Sequence, residues 1–463
     1  YRPRGRAGHR LCRGALPVTA PAPKLDTARR SWGRLPTGPH QTLRLRSPEA
    51  AIAALEAART AETSTLPHGL GRSYGDSNLN PDGGLILCRG LDHFIAFDRE
   101  TGIVRAEAGV SLDDILRICV PHGFFLPVSP GTRQVTLGGA IANDVHGKNH
   151  HRSGTFGCHV RSLTLARSDG SVTELTPDDT TGLFAATIGG LGLTGVILEA
   201  EIALMPIPSA YLDRRIDRFA NIAEFLELAS ERSSEFEHTV AWVDCTATGD
   251  RLGQGVFTSA SWAKEGGHTL KPARSLPALP VDLPGFALNR WTLKGFNQVW
   301  RWRQGIKPQT AREAWPGLFH PLDALPGWNR LYGAKGFYQH QCVIPFAPAQ
   351  ETLTAMLSRI AASGQGSFLA VLKTFGDVPS PGLLSFPAPG VTLALDFANK
   401  GAKTRALLAD LDAMVVEAGG RLYPAKDAHM SAQTFKAGYP SWEALEAVRD
   451  PALSSAFWRR VTQ

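Results

Sequence analysis

The chain has 463 residues, of which 43% are hydrophobic and 20% charged, and this length and composition predict a folded protein of two domains. Its net charge of +7 comes from residues 1–35, where nine basic residues stand against one acidic residue. Residues 36–463 therefore sum to −1, and such a neutral body argues against nucleic acid as a partner.

Residues 1–35 form a basic segment with scattered proline and glycine and without apolar periodicity. We expect it to be a disordered tail outside the fold, arising from a mis-set start codon or the edge of a fragment. It lacks the apolar core of a secretory signal. No apolar run approaches membrane-spanning length, so the sequence predicts a cytoplasmic protein, or one peripheral at the membrane or cell envelope.

Strands and helices alternate after this segment without regular βαβ repetition, which predicts an α+β fold. Ser47 and Pro48 predict the start of a helix, and Ser111 with Asp114 forms a capping box at the start of another. Short strands are predicted at 85–87, 94–97 and 103–106, and a hairpin at 160–175 around Ser168-Asp169-Gly170.

The composition changes after about Ile207, since seven of the ten tryptophans lie between Trp242 and Trp328. These aromatic residues indicate either a large core or the lining of a cavity for a bulky apolar ligand. Two irregular stretches, 271–285 and 303–318, predict loops that form a mobile gate. The elements predicted beyond them are strands at 338–344, 367–373 and 391–397 and helices at 350–362 and 402–418, which indicate an antiparallel sheet covered on one face.

Three glycine-rich stretches stand out: HGLGRSYGDSN at 68–78, SPGTRQVTLGGAIANDVHGKNHH at 129–151 and ATIGGLGLTGVI at 186–197. Glycine lets backbone approach a ligand closely and present several N–H groups to one anion. Any one stretch could be a set of tight turns, but three in one domain-sized segment favour a phosphate-bearing cofactor. The first stretch is one residue too long for the dinucleotide fingerprint, and no Walker loop is present.

In sequence and order these stretches resemble the bipartite PCMH-type FAD-binding domain of the vanillyl-alcohol oxidase superfamily. Within it, PGTRQVT and HGKNHH resemble the decaprenylphosphoryl-ribose oxidase family, with a likeness that runs from about Trp32 to the C-terminus. The resemblance implies an FAD-binding domain at 36–207, a substrate-binding domain at 208–420 and a C-terminal segment at 421–463 that returns to the FAD domain.

The resemblance also implies the residues of an active site, with His146 and Lys426 as the catalytic pair. From the residues alone, His146 could equally bond backbone in a turn, and Lys426 could form a surface ion pair with Asp427. The residues implied to contact FAD are Gly69, Leu70, Gly71, Arg72, Ser73, Tyr74, Gly75, Asp76, Gly131, Thr136, Leu137, Gly138, Gly139, Asn143, Asp144, Val145, His146, Ile197 and Tyr423. Those implied to contact substrate are Lys148, Gln339, Gln341, Lys373, Phe375, Phe319 and Ala394.

Some positions bear on the cofactor linkage and on the substrate. Arg72 stands where covalent relatives have a flavin-linked histidine, so the resemblance implies non-covalent FAD. Phe319 stands where the family has tyrosine, Ala394 where mycobacterial members have a pocket cysteine, and Thr392 replaces an asparagine. The six cysteines are scattered without a C-x-x-C pair, so no metal site is predicted.

The function implied is oxidation of the 2′-hydroxyl of a polyprenyl-phosphoryl ribose to a 2′-keto sugar by an FAD-dependent oxidoreductase. A separate NADH-dependent short-chain reductase would complete epimerisation to the arabinose form used in cell-wall polysaccharide synthesis. Two alternatives stay open: an alditol or sugar-lactone oxidase of the D-arabinono-1,4-lactone oxidase kind that acts on a soluble sugar, and a non-catalytic protein that retains the fold.

Overall fold

The structure is a computed structural model that describes residues 22–270, 277–285, 288–306 and 309–463. The strands of the first half are β1 (Lys24–Asp26), β2 (His40–Arg44), β3 (Thr65–His68), β4 (Gly84–Leu87), β5 (Phe94–Phe97), β6 (Ile103–Glu107), β7 (Phe124–Phe125), β8 (Val160–Ala166), β9 (Val172–Leu175), β10 (Val196–Ala203) and β11 (Met205–Pro206). Those of the second half are β12 (Tyr211–Phe219), β13 (His238–Val243), β14 (Gly255–Trp262), β15 (Thr310–Ala314), β16 (Phe337–Ile344), β17 (Ala370–Phe375), β18 (Gly390–Ala398) and β19 (Arg421–Leu422). The helices are α1 (Pro48–Thr60), α2 (Leu112–Cys119), α3 (Leu137–Ala142), α4 (His150–Ser153), α5 (Leu183–Thr187), α6 (Ile222–Glu235), α7 (Arg290–Ile306), α8 (Trp315–Phe319), α9 (Phe346–Ser363), α10 (Ala402–Glu417), α11 (Ala432–Gly438), α12 (Trp442–Val448) and α13 (Ala456–Thr462).

Two sheets organise the first half of the described chain. One has the strand order β1-β2-β4-β3, with β2 and β3 parallel to β4, and the other is an antiparallel sheet in the order β5-β6-β10-β8-β9. The predicted helix starts are confirmed, since the Ser47 side chain caps α1 and the Ser111–Asp114 capping box begins α2. The hairpin of β8 and β9 is confirmed as well, with Gly170 at a φ of +85° in its turn.

The prediction that residues 1–35 lie outside the fold is wrong for the end of that segment. Lys24–Asp26 forms β1 and pairs antiparallel with β2. The backbone N–H of Trp32 donates to the carbonyl of Ser73 at 2.9 Å, so the chain here packs against the first glycine-rich stretch. These residues are ordered by backbone hydrogen bonds to distant partners, which apolar periodicity does not reveal. Residues 1–21 lie outside the described residues.

An eight-stranded antiparallel sheet forms the second half, in the order β15-β12-β14-β13-β17-β18-β16-β19. Helices α6, α9 and α10 pack on it, and fully buried leucines such as Leu353, Leu357, Leu407 and Leu411 lie in the core that they enclose. The predicted helix-covered antiparallel sheet is therefore confirmed. No helix within the described ranges is both long and apolar enough to cross a membrane.

The prediction that 303–318 is an irregular loop is wrong for the described part of that stretch. It contains the end of α7, the edge strand β15 and most of α8. Strand β15 pairs with β12, where Arg312 contacts Asp213 at 2.9 Å and Glu313 contacts Arg214 at 3.1 Å. Strand β15 lies at the edge of the sheet and is attached through charged pairs. It therefore lacks the apolar alternation by which strands are recognised.

The other proposed gate stretch, 271–285, falls partly on residues 271–276, which lie outside the described residues. Its remaining part contacts the body of the protein through Asp282. That carboxylate accepts hydrogen bonds from the guanidinium groups of Arg34 at 2.8 Å and Arg330 at 2.9 Å.

The C-terminal residues contact the first half of the chain. Leu453 bridges to Thr65 of β3, and the Tyr423 hydroxyl donates to the carbonyl of Asn143 at 3.1 Å. Arg460 binds the carboxylates of Asp76 and Asp427 at 2.8 and 2.9 Å. These contacts bring residues 423–426 opposite the glycine-rich stretches.

Candidate active site

A cavity of about 1100 Å³ opens between the glycine-rich stretches, one face of the eight-stranded sheet and residues 423–426. It is larger than most small-molecule pockets, which measure about 300–1,000 Å³. Residues of the first two glycine-rich stretches line one part of it, and residues of β16, β17 and β18 line another. The cavity therefore has room for a large cofactor together with part of a substrate.

Free backbone donors line one end of this cavity. The N–H groups of residues 70–73 donate to no other group in the described part of the chain. Gly71 adopts a φ of +64°, and Gly75 lies so close to the carbonyl of Asp427 that a Cβ there would stand 1.5 Å from it. The Arg72 guanidinium lies 4.1 Å from the centre of the Trp32 ring, and its Nε donates to the Gln134 carbonyl at 3.0 Å. Several free N–H groups in a glycine-rich turn form a binding site for an anion.

Several buried polar atoms that face the cavity region lack a hydrogen-bond partner among the described residues. They are the Ser77 hydroxyl, both polar atoms of the Asn78 amide and Nδ1 of His146. Buried polar groups in folded proteins are nearly always hydrogen-bonded, so these atoms indicate a polar ligand.

The tight turn before His146 is anchored by a buried carboxylate. Asp144 has a φ of +39°, is fully buried, and accepts hydrogen bonds from the Gly157 N–H at 2.7 Å and from the hydroxyls of Ser380 and Ser385. Burial raises the pKa of Asp144, although those hydrogen bonds oppose the shift. This anchor fixes the direction in which the chain continues to His146.

His146 lies at the centre of the cavity wall, with its ring 4.9 Å from that of Phe375 and 5.3 Å from that of Tyr423. The Gln341 amide lies 3.2 Å from His146 Nε2 and donates to the Thr392 hydroxyl at 3.3 Å. Burial, with the positive charge of Lys373, lowers the pKa of His146 well below its ordinary value. The imidazole is therefore neutral at physiological pH.

Three partly buried lysines line the same cavity as this histidine. Burial lowers the pKa of Lys148 to about 8 and that of Lys426 to about 8, and Asp396 opposes the shift of Lys426. The pKa of Lys373 falls to about 7 because it is buried and because Lys148 and Lys426 repel its charge. Lys426 Nζ lies 3.8 Å from the centre of the Tyr74 ring. In their ammonium forms these side chains favour an anion at this end of the cavity, and an anion bound there would in turn raise their pKa values.

Asp396 is a buried carboxyl group that the sequence analysis missed. It stands opposite Gln339 in the β16–β18 register and accepts hydrogen bonds from the Gln339 amide at 2.6 Å and the Tyr332 hydroxyl at 3.2 Å. Burial raises its pKa to about 7, against these hydrogen bonds and the charge of Lys426. The period of two along β18 could have revealed it, because Asp396 shares a strand face with Ala394.

Comparisons with known proteins agree with this geometry. Residues 39–176 match a family described as FAD binding domain. The chain is 38% identical over 434 residues, 91% of its length, to decaprenylphosphoryl-β-D-ribose oxidase of Mycolicibacterium smegmatis, of which it covers 94%. The chain belongs to the decaprenylphosphoryl-β-D-ribose oxidase family. It is also 32% identical over 361 residues to an uncharacterized protein in the mprA 5′ region of Streptomyces coelicolor (74% of this chain, 96% of that protein). L-gulonolactone oxidase of Mus musculus matches over only 125 residues, at 30% identity (27% of this chain, 28% of that protein).

An FAD-binding domain and membership of an oxidase family are thus established, as the glycine-rich stretches predicted. Most of the residues that the family resemblance implied also line the cavity, while their individual roles stay predictions. The cofactor-contact candidates that line it are Gly69, Leu70, Gly71, Arg72, Ser73, Tyr74, Gly131, Thr136, Gly138, Gly139, Asn143, Val145, His146, Ile197 and Tyr423. The remaining candidates that do so are Lys148, Phe319, Gln339, Gln341, Lys373, Ala394 and Lys426.

Five of the predicted contact residues do not line the cavity, and the structure places them behind its wall. Gly75 packs on Asp427 backbone and Asp76 binds Arg460, so both join the first glycine-rich stretch to the C-terminal residues. The others are Leu137 and Phe375, which are fully buried apolar residues, and Asp144, the anchor of the turn. Phe375 supports the ring of His146 from behind. These residues shape the cavity through their neighbours.

The segment after Phe319 forms hydrogen bonds with the second glycine-rich stretch. The sequence did not indicate this contact. Asp323 accepts hydrogen bonds from the Thr132 hydroxyl at 2.6 Å and the Arg133 N–H at 2.9 Å. The ring of His320 lies 2.8 Å from the Ser129 hydroxyl. No local signal marks these pairs, because the partners are about 190 residues apart.

Proposed function

We propose that this chain is an FAD-dependent oxidase that converts the 2′-hydroxyl of a polyprenyl-phosphoryl ribose into a ketone. The observation that carries the proposal is one cavity that combines free backbone donors, three lysines and a neutral histidine. The printed name of the relative in Mycolicibacterium smegmatis indicates the same substrate class.

The residues present fit FAD. The N–H groups of residues 70–73 would hold its pyrophosphate, and the unsatisfied polar atoms of Ser77 and Asn78 offer further hydrogen bonds. When bound, FAD supplies the two-electron oxidant. We propose that its attachment is non-covalent, because Arg72 is held between Trp32 and Gln134, and the ring nitrogens of the neighbouring His68 lie 2.9 Å from the Asn78 carbonyl and 3.3 Å from Arg29.

His146 is the residue that we propose to receive the hydroxyl proton. Its neutral imidazole can accept a proton, and the Gln341 amide and the Phe375 ring fix its orientation. A proton on this ring is opposed by Lys373 and Lys426, so it must pass onward after the oxidation.

The lysines have a different part in the proposal. A bound phosphoryl group raises the pKa of Lys148 and Lys373 again, because an opposite charge nearby favours the ammonium form. Lys426, which lies against Tyr74, would supply positive charge beside the cofactor when it takes up electrons. Lys148 Nζ donates to the Phe319 carbonyl at 3.0 Å and Lys373 Nζ to the Gly147 carbonyl at 3.4 Å, and neither forms an ion pair with a described carboxylate. A phosphoryl group would balance both charges and a neutral sugar or lactone would not, so these side chains favour the phosphorylated substrate over the soluble one.

The domain assignment and the partners belong to this proposal. We propose that residues 36–207 form the FAD domain together with β1 and the segment that contains Trp32, that 208–420 form the substrate domain, and that 421–463 return to the flavin. A keto sugar needs a reductant to become the epimer, so we propose an NADH-dependent short-chain reductase as partner. A lipid-linked substrate also implies peripheral contact with a membrane.

Trapping of the product tests the reaction. The holoenzyme is incubated with prenyl-phosphoryl ribose and an artificial electron acceptor, and the product is reduced with borodeuteride. We expect deuterium at carbon 2 of the sugar by mass spectrometry, and no oxidation of free ribitol at the same concentration. Deuterium at another carbon, or faster oxidation of ribitol, contradicts the proposal.

A further inference from the structure

Helix α7 presents its apolar side chains to solvent. Trp291 is 67% exposed, Val299 61% and Trp302 64%, and Phe296 is 46% exposed. A helix on the surface of a globular protein normally turns such residues towards the core. Exposed large apolar residues grouped on one element indicate a surface for a partner or a membrane.

The side of α7 that faces the protein is mostly polar. Asn297 is fully buried and Gln304 is 8% exposed, with Leu293 beside them. The Asn297 amide donates to the Asp244 carboxylate at 2.8 Å. These polar contacts set the rotation of the helix, so its aromatic residues are directed outwards by the way in which it is attached.

The helix is also basic. Arg290, Lys294, Arg301 and Arg303 lie within it, and no acidic residue does. Basic residues together with tryptophan are typical of helices that lie in the headgroup region of a bilayer. A leaflet with anionic lipids complements both properties, whereas a soluble protein partner would have to match an apolar and a cationic surface at once.

The position of α7 connects it to the active site. Trp300 and Gln304 line the cavity that contains His146 and the lysines. A membrane that contacts the outer face of α7 would therefore lie beside the cavity. Delivery of a lipid-linked substrate through this contact rests on the proposed function, whereas membrane contact by α7 does not require that function.

We propose that the outer face of α7 docks on a membrane surface that carries anionic lipids. Trp291, Val299 and Trp302 enter the headgroup region, and Lys294 and Arg303 bind the lipid phosphates. The proposal predicts binding that requires both the apolar and the basic side chains of this helix.

Vesicle flotation of the FAD-loaded full chain tests the docking surface. We expect binding to phosphatidylcholine vesicles that contain phosphatidylglycerol, and weaker binding in about 1 M salt, where charges are screened within about 3 Å. Replacement of Trp291, Val299 and Trp302 by serine should reduce binding about tenfold or more. The double variant Lys294→Glu, Arg303→Glu should reduce binding to the vesicles that contain phosphatidylglycerol to a similar extent. Phe346→Ser is the matched control, because Phe346 is 49% exposed on α9.

Each result decides between occupants of this face. Absence of wild-type binding, or equal binding by the serine variant, overturns the proposal. So does a wild-type dimer that the serine variant converts to a monomer in sedimentation analysis, because α7 would then be an interface between two copies. Flavin content checks that the variants fold. If vesicles bind but a short-chain soluble prenyl-phosphoryl ribose does not reduce the flavin, the proposed function fails while the docking surface stands.

Discussion

Replacement of Lys373 by methionine should stabilise the folded protein while it removes activity. Lys373 lines the cavity with Lys148 and Lys426, and its ammonium group is costly there because of desolvation and the repulsion of the other two charges. Methionine is similar in length and carries no charge, so it fills the same space without that cost. In the proposed function the substrate would lose a phosphate contact, and we therefore expect turnover to fall about a hundredfold or more.

The size of the stabilisation follows from the lowered pKa. A fall from 10.5 to about 7 corresponds to at most roughly 4 to 5 kcal/mol, at 1.36 kcal/mol for each pH unit. The side chain is only partly buried and donates to the Gly147 carbonyl at 3.4 Å, so the gain is smaller than this upper bound. Between about pH 7 and 10.5 the unfolded chain binds more protons than the folded chain, so wild-type stability rises with pH across this window. The advantage of Lys373→Met should therefore be largest near and below pH 7 and should vanish above pH 10.5.

Urea unfolding of the FAD-loaded protein at pH 7 and pH 9 measures this effect. The midpoint for Lys373→Met should exceed that of the wild type at both values, by less at pH 9. Lys403→Met on α10 is the control, because Lys403 is exposed and its loss should change stability by no more than about 0.5 kcal/mol. A midpoint below that of the wild type at pH 7, or a gain that is the same at both pH values, refutes the reasoning.

Other predictions concern the cofactor and the pocket. Because Arg72 cannot form a flavin linkage, acid precipitation should release all yellow colour, and colour in the pellet would contradict non-covalent binding. Lys426→Ala should lower turnover by about 10²-fold or more while FAD stays bound. Lys436→Ala is the control and should change little, because Lys436 lies outside the cavity, 4.8 Å from the centre of the Trp442 ring. Loss of flavin from Lys426→Ala would mean that Lys426 has a structural role. Ala394→Cys should allow a nitroaromatic compound, once reduced by the flavin, to form an adduct that mass spectrometry detects; an adduct on the wild type would contradict the placement of buried Cys342.

Elements with a local signal could be predicted from the sequence. The caps at Ser47 and Ser111 and the turn at Gly170 act within four residues, so the chain itself specifies them. The segment that contains Trp32 and the edge strand β15 were missed, because distant backbone and charged partners hold them.

The site could be predicted only where its residues form a recognisable local motif. The glycine-rich stretches and their charged neighbours are visible in the sequence, whereas the contacts that hold the Asp144 and Asp76 carboxylates involve Ser380, Ser385 and Arg460, far along the chain. The tryptophan-rich region illustrates the limit best. The sequence left open a core or a cavity lining, and Trp328 is both buried and part of the cavity wall. Trp291 and Trp302 fit neither alternative, because polar contacts on the opposite side of α7 direct them outwards.

Anaerobic titration of the holoenzyme tests the proposed function most directly. Prenyl-phosphoryl ribose should bleach the visible flavin band in proportion to the amount added, until about one equivalent has been consumed, and free ribitol should leave the band unchanged. A band that persists with the lipid-linked sugar but is bleached by ribitol would contradict the proposal that the three cavity lysines bind a phosphorylated substrate.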